Sequence, residues 1–323
     1  MKKLLKPLDY IFVLQPVLFF PVWAVFLAGF YVQNKLFGAE HATNGTAANL
    51  QHQYVWVGLA LTGLMGAIFI LYQVMERDTN GGNPVRLIAS GMLTPKAAFI
   101  EAVVLLVVVM IAGFILAPEI AALFFILVLV AGVLYNFSPF KLKDRPVQAL
   151  LVNGLVALLI FSSGWVVNGV LSGDVLIHAI PYICAAMALF VYTSLRPGEN
   201  DGGRFRTFAE KYGMAVTAYA GLLLNVASFT SGFLLADELI FYPAFFSMPV
   251  FVWALVKLKP EEFTRAAGYM IFLMAISVSF KWHVVNGNNT LFLVLLGLYI
   301  VSRAYYRLRF GIRYPSLSVE AGS

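Results

Sequence analysis

The chain has 323 residues, 61% of them hydrophobic and 12% charged, with a formal net charge of +6. A water-soluble domain carries roughly 25% charged residues, so this composition excludes one and points to a chain that crosses a bilayer many times. In a soluble protein the positive balance would suggest a nucleic-acid partner. Here topology accounts for it and no nucleic acid is expected, while the single Cys184 excludes a disulfide framework.

A spanning helix needs about 20 apolar residues to cross the hydrocarbon layer. In chain order the apolar stretches are 9–32, 53–75, 96–116, 119–137, 147–171, 175–195, 212–235, 239–257, 266–286 and 290–308, which makes ten. The first follows Lys2, Lys3 and Lys6. It is too long for a cleaved signal peptide and reads as an anchor. Of all the Lys and Arg residues, only Lys35 and Lys281 fall in loops of the other parity. The positive-inside rule therefore places both termini in the cytoplasm and the chain in the cytoplasmic membrane. A count of nine would put Arg303, Arg307, Arg309 and Arg313 outside. The links "APEI", "LSGD" and "LADE" are short, and residues 33–52 form the one long outer loop. No soluble segment interrupts the chain, so 1–323 reads as a single integral membrane domain, an all-α multi-pass bundle.

Three polar clusters share the inner side. The first is "YQVMERDTNGGNPVR", Tyr72–Arg86, with Glu76, Asp78, Asn80, Asn83 and Arg86. On a helix Glu76 and Asn80 stand at i and i+4 on one face, whereas Asp78 points elsewhere unless the helix has ended. The second is "LYNFSPFKLKDRP", where Tyr135 precedes Lys141, Lys143 and Arg145. Taken alone it is a loop touching anionic lipid headgroups, or a set of charge-assisted donors to phosphate. The third is "TSLRPGENDGGRFRTFAEKYG", with Glu199 and Asp201 in a glycine-rich turn beside Arg196, Arg204 and Arg206.

The ordered set resembles the UbiA superfamily of intramembrane prenyltransferases. "NPVRLIASGMLTPKAA" is similar to the family's run after helix 2, "LYNFSPFKLKDRP" to its basic loop after helix 4, and "RTFAEKYG" to its run after helix 6. "VLQPVLFFPVWAVFLAG" is similar to its helix-1 signature, with Gln15 in place of Arg. The likeness spans residues 8 to about 215 in order. It implies a UbiA-like domain over about 8–310, with a nine-helix core and a tenth helix added at the C-terminal end.

The resemblance also implies a site. The family's two aspartate-rich motifs bind Mg2+ and a prenyl diphosphate, and the isoprenoid is transferred to a lipophilic, in many cases aromatic, acceptor. In register, the first motif falls on Tyr72, Gln73, Glu76 and Asn80; the second falls on Arg196 and Asn200, or one residue on at Pro197 and Asp201. The expected catalytic set is thus Glu76, Asn80, Asp78, Glu199 and Asp201, with Glu76, Asn80 and Asp201 as ligands of a weakened or lost Mg2+. The expected substrate-binding set is Asn83, Arg86, Tyr135, Lys141, Lys143, Arg145 and Arg204. Because most motif aspartates are replaced, two alternatives stay open: a non-catalytic relative binding an isoprenoid, quinone or pigment, and a membrane terpene cyclase. A transporter is disfavoured, since ionisable residues within the spans are few: Glu101, His178, Lys281 and His283. Asn153, Asn168 and Asn225 are expected to bond between helices.

Overall fold

The computed structural model describes residues 6–42, 47–76, 87–167, 169–194, 207–312 and 314. Among the described residues nine helices are long and apolar enough to cross a membrane, and Pro118–Leu134 adds a shorter apolar one. In chain order the elements are α1 (Lys6–Phe12), α2 (Phe19–Ala42), α3 (Ala47–Met75), α4 (Pro95–Leu116), α5 (Pro118–Leu127), α6 (Pro146–Trp165), α7 (Asp174–Thr193), α8 (Phe208–Tyr212), α9 (Met214–Leu234), α10 (Glu238–Lys257), α11 (Pro260–Asn286) and α12 (Thr290–Phe310).

The first expected span is broken in two. Pro16 follows Gln15, which takes a left-handed conformation (φ 54°), and a short 3-10 turn, Pro16–Leu18, leads into α2. A proline supplies no N–H to the helix ladder, so the carbonyls at the end of α1 need other donors. Gln73 of α3 provides one, giving its side-chain N–H to the Val13 carbonyl at 2.7 Å.

The expected long outer loop 33–52 is a correction. Helical backbone runs on to Ala42 and resumes at Ala47, and no proline interrupts residues 33–52. The fourth span also departs from the expectation. After α5 the backbone widens into a π-turn, Val128–Leu134, before regaining α spacing. A π-turn holds one residue more than the α-turn it replaces. Buried Asn136 donates to the Ala131 and Gly132 carbonyls at 2.9 and 3.1 Å, which satisfies acceptors where the ladder changes pitch.

Neighbouring helices pack in sequence, α3 on α4, α4 on α5, α6 on α7, then α7, α9, α10 and α11 in turn. Long-range contacts of α2 with α6 and α11 draw the row together. The α2–α6 crossing is close enough that a Cβ on Gly29 would strike the Phe161 carbonyl and one on Gly164 the Phe26 carbonyl. Small residues at helix crossings are how apolar helices gain contact when lipid is the competing solvent. Asn225 bonds across helices as expected, to the Ala244 carbonyl at 3.1 Å. Asn153 does not: its amide returns to Ala149 of its own helix. Asn168 lies outside the described residues.

The tenth helix, α12, packs against α11 and the turn after α1. Its end is fixed by Tyr305, which stacks on Phe12 (centroids 3.8 Å apart, planes at 2°). The Tyr305 hydroxyl donates to Asp9 Oδ1 at 2.6 Å, and Arg309 donates to Asp9 Oδ2 at 2.7 Å. A second apolar core forms here from Phe12, Leu71, Leu87, Ile88, Leu93 and Tyr306, among others.

Candidate functional site

The basic end of the bundle gathers the C-terminus of α3, the connection from the π-turn to α6, and α8. Helix α3 stops at Met75, leaving Glu76 in its final turn with its N–H bonded to the Tyr72 carbonyl. On the other side of the site, the chain after Asn136 turns through Lys141, whose φ of 38° is left-handed, into a 3-10 turn over Leu142–Asp144. That turn packs on α6 and sends Lys143 back toward α3.

The result joins two clusters. Lys143 Nζ lies 2.7 Å from Glu76 Oε1, and the two side chains are each only 8% exposed. The same ammonium sits 5.2 Å from the centre of the Tyr72 ring, within cation–π range. A lysine and a glutamate are seldom buried unless paired, and here each neutralises the other.

Lys141 and Arg145 turn elsewhere. With Ser138, Phe140, Asp144, Gln148 and Lys211 they line a groove of about 780 Å³. Arg145 also donates to Gln148 at 3.3 Å. The three cations of the basic loop thus divide into one buried residue and two at an open groove, joined there by Lys211, a residue no motif singled out. Tyr135 is half-buried beside Asn136.

The expected first-motif positions have acquired definite local roles. Gln73 is committed to the break after α1, and Glu76 to Lys143. Asp78, Asn80, Asn83, Arg86, Glu199, Asp201 and Arg204 lie outside the described residues. In the third cluster, "RTFAEKYG" supplies a helix start. Thr207 accepts from the Glu210 N–H at 3.1 Å while Glu210 accepts from the Thr207 N–H at 2.9 Å, a reciprocal capping box.

Mg2+ prefers near-octahedral oxygen ligands at about 2.0–2.1 Å. Among the described residues no group of three or more His, Cys, Asp or Glu side chains is close enough to hold a metal. Among the described residues of the first motif the donor set is one carboxylate, Glu76, already paired with an ammonium. These described residues do not by themselves fit a divalent ion.

A second charged cluster lies between other helices and escaped the sequence reading. Asp237, which caps α10 through the Leu239 N–H, also accepts from the Tyr182 hydroxyl at 2.8 Å. Burial pushes its carboxyl up to about 6, against partial relief from the Tyr182 and Leu239 donors and from Lys35 and Lys281. Lys35 itself donates to the neighbouring Ala236 carbonyl at 2.7 Å. Spacing of 55 residues between Tyr182 and Asp237 hides such a pair from any local motif.

Among solved structures, the chain resembles a UbiA homolog from Archaeoglobus fulgidus at TM-score 0.61 and 13% identity, covering 86% of this chain and 99% of that one. The same homolog bound to DMAPP and Mg2+ matches at TM-score 0.59 and 15% identity, over 84% and 99% of the two chains. A digeranylgeranylglyceryl phosphate synthase matches at TM-score 0.57 and 13% identity, over 84% and 96%. At these identities the likeness is one of fold. A search of curated proteins finds no significant match. The model of the UbiA prenyltransferase family, however, matches residues 17–276, and the chain therefore belongs to that family.

Proposed function

We propose that this multi-pass membrane protein binds a prenyl diphosphate at its basic end and transfers the isoprenoid to a lipophilic acceptor. The Archaeoglobus fulgidus homolog of the same fold was solved bound to DMAPP and Mg2+ and also to GPP and Mg2+. The observation in this chain that carries the reading is the Glu76–Lys143 pair. It joins the end of α3 to the loop before α6, the two segments whose sequences most resemble the family's site. The positive-inside rule orients this end toward the cytoplasm, where a water-soluble diphosphate head arrives while its chain enters the apolar bundle.

The reaction needs the allylic C–O bond to break with its electron pair leaving on the diphosphate. The carbocation is then captured by a nucleophilic acceptor atom, which loses a proton. Two things lower that barrier: neutralising the leaving group, and keeping water from the cation. Lys143 serves the first from a nearly water-free position, and Lys141, Arg145 and Lys211 add charge from the groove. The apolar helices above serve the second.

A second reading is favoured by one observation. Two first-motif positions, Gln73 and Glu76, are tied into structural bonds, as suits a relative that holds an isoprenoid without turning it over. Purified protein incubated with labelled geranyl diphosphate, with and without membrane lipid extract as acceptor source, separates the readings. Label appearing in a new lipid supports transfer, and label released as a terpene alone supports cyclisation. Saturable binding with no product supports the non-catalytic relative. No binding overturns the diphosphate reading.

A further inference from the structure

The disagreement between Glu76 and a divalent ion has a specific form, because something else already occupies its charge. We propose that Lys143 is a resident cation at Glu76, holding the place of a metal there, so that an allylic diphosphate binds this chain with no divalent ion at that carboxylate. The proposal rests on the diphosphate reading above and adds to it the means of charge neutralisation.

Three features support it. The ammonium is at hydrogen-bond distance from Glu76 Oε1, and both side chains are buried. A dication bonding that oxygen would stand within a few ångströms of the ammonium, with little water between to screen the repulsion. The Tyr72 ring beneath Nζ favours a cation at this point. Finally, the neighbouring in-register position is Gln73, whose amide is engaged with Val13 and adds no negative charge.

The arrangement leaves Lys143 able to act on a ligand. An ammonium has three N–H donors, and Glu76 takes one. The 3-10 turn at Leu142–Asp144 and the left-handed Lys141 before it fix the stem from which Lys143 reaches across. A carboxylate on one side and a phosphate oxygen on the other is the same bridging role a metal ion fills, with a covalent tether in place of coordination.

The test uses the purified full-length protein in detergent. Geranyl diphosphate binding is measured calorimetrically in EDTA and in Mg2+, and Mn2+ binding by electron paramagnetic resonance. The wild type is expected to bind geranyl diphosphate in EDTA within about twofold of its affinity in Mg2+. Lys143→Met is expected to lose at least about tenfold in EDTA, equivalent to about 1.4 kcal/mol. It should recover in Mg2+ and gain a Mn2+ signal that the wild type lacks. Lys143→Met combined with Glu76→Gln should lose both the recovery and the signal. Wild-type binding that requires Mg2+, or a wild-type Mn2+ signal abolished by Glu76→Gln, overturns the resident cation while leaving the diphosphate reading intact. No geranyl diphosphate binding in any condition overturns the reading itself. Should Lys143→Met not fold, Lys143→Gln gives the same comparison, and the wild-type measurements in EDTA and Mn2+ decide independently of either variant.

Discussion

Asp9 and Arg309 meet at 2.7 Å although 300 residues separate them, with Asp9 fully buried and the Arg309 side chain 9% exposed. The pair, with the Tyr305 hydroxyl on the second Asp9 oxygen, fastens α12 to α1. This helix lies beyond residue 276, where the family match ends.

Breaking a buried pair from one side leaves an uncompensated charge, at a cost of about 3–5 kcal/mol. Arg309→Met should therefore lower the melting temperature in detergent markedly. Adding Asp9→Asn should restore part of the loss, since the stranded carboxylate is then removed. Equal melting of the single and double variants would count against a charge-based latch.

The α2–α6 crossing makes a sharper steric prediction. Gly164→Ala places a methyl group against the Phe26 carbonyl, a backbone atom that cannot swing aside. Overpacking costs typically about 1–3 kcal/mol, and here the two helices must part to relieve it. Gly297→Ala in α12, where nothing lies within 4 Å of the added Cβ, should be neutral or stabilising by about 0.5–1 kcal/mol. The two variants, compared by thermal melting, should move in opposite directions.

Asp237 predicts a pH dependence with a definite sign. Burial raises its carboxyl from the ordinary 3.8 to about 6, so the folded state holds the proton more tightly than the unfolded one. Stability from this group is then greatest below about pH 4, and falls as pH rises from about 4 to about 6. Above that the loss is complete, on the order of 2–3 kcal/mol. Asp237→Asn keeps an N-cap acceptor for Leu239 and should flatten the melting profile over this interval. A profile unchanged by the substitution would count against Asp237 as its source.

The division of the basic loop into a buried lysine and an open groove predicts unequal effects on ligand binding. Lys141→Ala and Arg145→Ala should each weaken geranyl diphosphate by about fivefold, the worth of about 1 kcal/mol expected for a solvent-facing charge. Both effects should shrink as salt is raised from low to about 0.5 M, because exposed charges are screened. The Lys143→Met effect in EDTA should persist at high salt. Calorimetry at two salt concentrations distinguishes the two groups.

Hydropathy was enough to find every long helix among the described residues, because the bilayer imposes a length on each span. Details governed by backbone hydrogen bonding were less legible. The break at Gln15–Pro16 had its proline in plain view, yet the donor that completes it, Gln73, lies 60 residues beyond its acceptor Val13. The continuation of α2 to Ala42 was missed because Lys35 and Glu40 resemble loop residues, while no proline stands between residues 33 and 42 to end the helix. At the site, Glu76 and Lys143 were each visible as candidates on separate clusters. Their union depends on how the chain turns between Asn136 and Pro146, which no periodicity encodes. Asp9, Tyr305 and Arg309 carried no motif, and only the folded chain brings them together.

The π-turn at Val128–Leu134 sets the phase of everything that follows it. Excising one residue there would let the segment rewind as ordinary α-helix, rotating Tyr135, Asn136 and the basic loop by about 100° about the helix axis. Lys143 would then leave the side of the bundle on which Glu76 waits, with every charge in the sequence unchanged. The wiring of this site is thus a matter of one residue of chain length, held in place by the Asn136 amide.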